Sequence, residues 1–232
     1  MGDDVGVRGD RRNHGNSTGF ALCWGGLIPA VLQRRIELVE QQALHAIEFS
    51  GELAMPLWRG WSRIFLGWAQ VNSNRHEAGL AEFAAGLSEI RGMGMRRLLP
   101  FLLGLVAESL ATAGRGEDAQ RAIGEAFVEM ERTRDLFWAA ELHRIRAEQL
   151  LRDPVIDVAR AESDLTRSLA IARDQAAKLL ELRAAMGLAR LKAARGERQA
   201  AHDLLLPLCQ WFTEGFDAPD IVAAQTLLRQ LS

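Results

Sequence analysis

Five histidines, two cysteines and 30 carboxylates are the raw material for catalysis or metal binding in this 232-residue chain. Their spacing assembles no familiar reactive set. His14, His45, His76, His143 and His202 never pair at i, i+4 and no HExxH occurs, so no helix would present two imidazoles to a metal. Cys23 and Cys209 stand far apart without a CxxC partner, which gives neither a metal knuckle nor a disulfide framework and suits a reducing cytoplasm. The glycine clusters Arg91-Gly92-Met93-Gly94 and Gly114-Arg115-Gly116 lack the lysine and the preceding strand of a phosphate-cradling loop. No GxSxG turn lifts a serine into nucleophilic position. The sequence therefore predicts no catalytic residue, no cofactor and no metal, and the chain is not expected to be an enzyme.

Composition narrows the rest. Hydrophobic residues make up 48% of the chain and charged residues 25%, tyrosine is absent and there are only six prolines, a bias toward soluble helix over sheet. A formal net charge of −2 gives no large field and by itself neither suggests nor excludes local contacts with nucleic acid; Arg34-Arg35 and Arg96-Arg97 read as solvated helix ends rather than a nucleic-acid patch, so no direct contact with nucleic acid is expected. The apolar run from Phe20 to Leu32 follows Arg11-Arg12 as an export signal would. Asp3, Asp4 and Asp10 dilute that start, and Arg34-Arg35 stand where small cleavage-site residues belong. The run is also too short to span a bilayer, so neither a membrane association nor export is expected, and the predicted location is cytoplasmic.

The elements that would position any site show a period. Leu66-Gly67-Trp68-Ala69, then Asn74 to Leu80, then Phe83 and Gly86-Leu87 follow the tetratricopeptide order, in which a small residue midway along one helix precedes a tight turn and a second helix bearing small and aromatic residues. The turn recurs at Gly114 to Ala119 and Gly196 to Ala201, and without its glycine at Ala161 to Leu165. The aligned small residues Gly79, Ala119, Ala161 and Ala201 let helices approach, and Phe83, Ile123, Leu165 and Leu205 lie four positions on, along the same face. Eleven helices follow: 20–33, 35–50, 56–72, 76–91, 100–113, 116–132, 136–151, 157–174, 177–194, 197–213 and 217–231. The predicted fold is all-α, a right-handed α-solenoid of about five tetratricopeptide-like helix pairs over 19–232, closed by a capping helix at 217–231. Asp217 with Asp220 reads as the capping box that opens this last helix, with Ile221, Ala224, Leu228 and Leu231 on its apolar face. Residues 1–18 show no period and are expected to be a disordered or non-native tail.

Helical repeats bind along the wall made by the first helix of each pair. Here that wall would carry Trp61, Ile64 and Trp68, then Phe101 and Glu108, then Glu141, Arg144 and Glu148, then Arg183 and Arg190. The aromatic part suits anchoring a peptide or helix, and the charged part suits polar recognition, so the expected partner is a protein or peptide. A structural alternative places the tryptophans in the core and joins Glu141, Arg144 and Glu148 as i, i+3 and i, i+4 pairs.

Phe137 to Glu148 and Trp211 to Asp220, with Met55-Pro56-Leu57-Trp58, resemble the C-terminal repeat region of large bacterial signalling proteins. In those, a class III adenylate/guanylate cyclase or a DNA-binding activation domain precedes an ATPase module and then tetratricopeptide-like (MalT-like) repeats. The resemblance covers about residues 20–232 and implies a sensory or protein-binding role in signal transduction. The cyclase, DNA-binding and ATPase modules have no counterpart here, so it carries over no catalytic residue. The alternative expectation is the regulatory part, or a truncated remnant, of such a cyclase or transcriptional regulator.

Overall fold

The structure is a computed structural model and describes residues 16–153, 155 and 157–232. Among these residues it is all-α, with no strand. The α-helices are α1 (Ile28–Leu32), α2 (Ile36–Glu52), α3 (Pro56–Asn72), α4 (His76–Gly92), α5 (Leu99–Thr112), α6 (Gly116–Thr133), α7 (Ala139–Arg152), α8 (Val158–Asp174), α9 (Lys178–Ala194), α10 (Arg198–Trp211) and α11 (Pro219–Leu231). Ten of the eleven expected helices are met with ends shifted by at most three residues. The first differs: residues 16–20 are helical, Ala21–Leu27 is wound as a π-helix, and α1 continues it. Of the expected tail, residues 1–15 lie outside the described residues, whereas 16–18 are helical and the Asn16 Oδ1 accepts from Trp58 Nε1 at 3.2 Å.

Most of the helix-to-helix turns share one closure. Arg34, Ala54, Asn74, Gly114, Ala176 and Gly196 take positive φ two residues beyond a helix. The next N–H then reaches back to a carbonyl five residues earlier, as in Arg75 to Gln70 at 2.8 Å and Ala177 to Ala172 at 2.9 Å. This is the Schellman arrangement, which satisfies carbonyls that a helix end leaves unpaired. Helix starts are fixed differently. Pro56, Pro100 and Pro219 occupy first-turn positions, where a missing N–H costs nothing, and Asp157 caps α8 by accepting from Arg160 N at 2.9 Å.

The chain divides into two compact units, Met1–Arg96 and Arg97–Ser232. In the first, α3 is buried around Trp61, Ile64, Phe65 and Trp68 and packs on α2 and α4. Its contact with α4 is made by glycine. A Cβ on Gly67 would sit 2.7 Å from the Gly79 carbonyl oxygen, and one on Gly86 2.7 Å from that of Gly60, so the two backbones touch where no larger residue fits. In the second unit α5 packs with α6, α7 with α8 and α9 with α10, while α5, α7, α9 and α11 are neighbours in that order. Ala119, Ala161 and Ala201 are fully buried with Ile123, Leu165 and Leu205 beside them, as the small-then-large spacing predicts. Ile221, Ala224, Leu227 and Leu231 seat α11 in the core. Leu228, expected among them, is only partly buried.

Candidate functional site

The wall residues separate by burial. Trp61, Ile64, Trp68 and Phe101 are all at most 4% exposed, so none of them lines an open groove. Trp61 meets Trp58 edge to face at a centroid distance of 5.2 Å, and Phe101 stacks on Trp138 at 3.9 Å. Aromatic side chains of this area are held by the apolar surface they remove from water, which makes these four part of the core. The structural alternative for the tryptophans is what the structure contains.

The charged residues are brought together. On α7, one turn of helix sets Glu141 beside Arg144, and the guanidinium grips the carboxylate with Nε to Oε2 at 2.9 Å and Nη2 to Oε1 at 2.8 Å. Arg144 also donates through Nη2 to Glu108 on α5 at 2.8 Å and lies 2.7 Å through Nη1 from Glu148 one turn further along α7. From α9, Arg183 Nη1 donates to the Glu141 Oε1 at 2.9 Å. Its other edge meets Asp220 on α11, with Nε to Oδ2 at 2.8 Å and Nη2 to Oδ2 at 2.6 Å. A continuous ladder of charge thus runs Glu108, Arg144, Glu141, Arg183, Asp220 across α5, α7, α9 and α11. Arg190 is not part of it; it is exposed and forms no ion pair among the described residues.

Glu141, Arg144 and Arg183 are each no more than 5% exposed. For two of them burial alone would favour the neutral form, raising the Glu141 carboxyl and lowering the Arg144 guanidinium. The neighbouring opposite charges prevail, holding Glu141 below its ordinary value and Arg144 well above its own. Asp220 is the member that sequence spacing did not assign. The capping-box reading is corrected here: the residue flanking α11 is Ala218, with no side-chain cap, and the Asp220 carboxylate is turned toward Arg183. Its signal was present as a carboxylate 37 positions beyond Arg183, near the repeat length, but a carboxylate in a first helical turn reads equally well as a cap.

A second, half-buried cluster lies between α7 and α8 around the buried Asp164. Asp164 accepts from Arg146 Nε at 2.7 Å and pairs with His143 Nδ1 at 2.8 Å, while the Arg146 guanidinium covers the Phe127 ring at 3.9 Å. Burial would raise the Asp164 carboxyl, but the hydrogen bonds from Arg146 and His143 outweigh it and hold it at about 2. Among the described residues no group of three or more His, Cys, Asp or Glu side chains is arranged to hold a metal.

Comparison with other proteins adds one relation. An uncharacterised protein of Rhizobium meliloti (strain 1021) is 32% identical over 176 residues, which cover 75% of this chain and 17% of that protein. The chain resembles a small part of a far longer protein. No protein-family model matches it. Among the described residues no helix is long and apolar enough to cross a membrane.

Proposed function

We propose that this chain is a right-handed array of tetratricopeptide-like helix pairs that serves as a non-catalytic interaction segment, sensing or binding a protein along the face formed by α5, α7, α9 and α11. The carrying observation is the charge ladder, which links the first helix of each successive pair through one or two side chains apiece. Such cross-bracing keeps a wall of parallel helices at fixed spacing, which preorganises a binding surface. Burial assigns the parts. Glu141, Arg144 and Arg183 hold the wall, while Glu148, with about a third of its side chain exposed, and Arg190 on the open side are the charges a partner reaches. A bacterial signalling context, as the regulatory segment of a cyclase-type or ATPase-containing protein, is supported by the resemblance at 137–148 and 211–220. The relative, of which the matching stretch is 17%, agrees with a segment that acts within a longer protein.

The test compares immobilised wild-type chain with Glu148→Lys/Arg190→Glu, using extract of a bacterium that encodes it and quantitative mass spectrometry. A protein held by the wild type should fall by at least about tenfold on the double variant, and it should also fall on Arg190→Glu alone, whose Tm should match the parent because that side chain is exposed and in no ion pair among the described residues. Equal recovery on both surfaces, or no saturable capture, overturns the reading.

A further inference from the structure

Along one edge of the second unit, three turns follow one another: 134–138 between α6 and α7, 175–177 between α8 and α9, and 212–218 between α10 and α11. Gln175 Nε2 donates to the Leu136 carbonyl at 3.1 Å, joining the first turn to the second, and the Lys178 ammonium lies 5.9 Å from the centre of the Trp211 ring. The edge is apolar at both ends. Leu136 and Phe137 are 57% and 63% exposed, and Trp211 and Phe216 are 56% and 52% exposed. Aromatic side chains left this open in an otherwise well-packed unit mark a contact surface.

Charge distinguishes the two ends. Beside Phe137, Arg97 and Arg134 share an open cleft with the single carboxylate of Asp135. Beside Phe216 stand Glu214 and Asp217, both exposed. Arg97, Arg134, Glu214 and Asp217 take part in no ion pair among the described residues. An edge that is aromatic at both ends, cationic at one and anionic at the other, is complementary to itself when turned by 180°, which is the requirement for a two-fold contact between identical chains. The same surface offers a unipolar acidic or basic partner a match at only one end.

We infer that this edge is a two-fold homodimer interface, in which Phe137 of one copy packs by Phe216 and Trp211 of the other and Arg134 meets Asp217. This surface is separate from the face proposed above for partner binding. Sedimentation velocity on the full chain over about 1–100 μM should show a monomer–dimer equilibrium. Phe137→Ser/Phe216→Ser should weaken it at least about tenfold with an unchanged far-ultraviolet circular dichroism spectrum. Arg134→Glu and Asp217→Arg should each weaken it, and Arg134→Glu/Asp217→Arg combined should recover most of the loss, since only the antiparallel arrangement pairs those two positions. The inference is overturned by a chain that stays monomeric throughout the range, by a dimer indifferent to the serine variants, or by a charge-swapped double variant no better than its parents.

Discussion

Arg183 donates to Glu141 on one side and Asp220 on the other while almost sealed from water. Removing a buried partner costs more than the pair contributes, because the charge left behind stays desolvated. Arg183→Leu should therefore lower stability by about 3–5 kcal/mol. Adding Asp220→Leu should return a large part of that loss, a coupling visible in a double-mutant cycle of urea midpoints. Glu141 loses Arg183 as well but keeps Arg144 in both variants, so the second substitution acts mainly on the α9–α11 rung. Asp164 supplies the pH-dependent counterpart. With its carboxyl held at about 2, below the ordinary 3.8 of an aspartate, it stabilises the fold above pH 4 and loses that contribution as pH falls toward 2. The amount is about 1–2 kcal/mol after allowance for solvent screening. Acid titration of Tm should show a shallower fall for Asp164→Asn than for the parent. At this scale the sequence revealed Glu141, Arg144 and Glu148 through their i, i+3 and i, i+4 spacing and Arg183 through the repeat. It concealed the burial that joins them, because side-chain spacing along one helix does not report how closely the next helix covers it.

Helices were legible because their apolar stripes recur at the helical period, and Gly114 and Gly196 announced their own turns. The same left-handed closure at Arg34, Ala54, Asn74 and Ala176 was harder to read, since a Cβ disfavours that conformation and only asparagine among the four commonly adopts it. Packing on either side of the turn supplies what local preference opposes. Ala176→Gly should accordingly raise stability by about 1 kcal/mol by relieving the left-handed backbone, measured as an upward shift of the urea midpoint with unchanged slope. The π-helical turn at Ala21–Leu27 left no trace in the periodicity, being a local departure from 3.6 residues per turn within a single apolar run.

At the scale of the molecule, the interval of 40 from Gly79 to Ala119 runs through the division at Arg96 and Arg97 without any change of spacing, so the repeat pattern concealed the two units. The charge ladder has a further meaning on the repeat reading, one that concerns how such arrays grow. Proteins of this kind lengthen by duplicating helix pairs, and each rung here limits which pair can be copied. The α7–α8 pair brings both signs to the ladder through Glu141 and Arg144, so a second copy would set a carboxylate beside a guanidinium at the new junction. The α9–α10 pair brings only Arg183, and its duplication would bury two guanidiniums side by side. A chain with α7–α8 repeated should fold with a Tm near the parent's. One with α9–α10 repeated should lose several kcal/mol, comparable to deleting a rung, unless the copied arginine is changed to a carboxylate or an apolar residue. Charge order along the ladder thus acts as a grammar for gene duplication, deciding which insertions of whole helix pairs this array can accept.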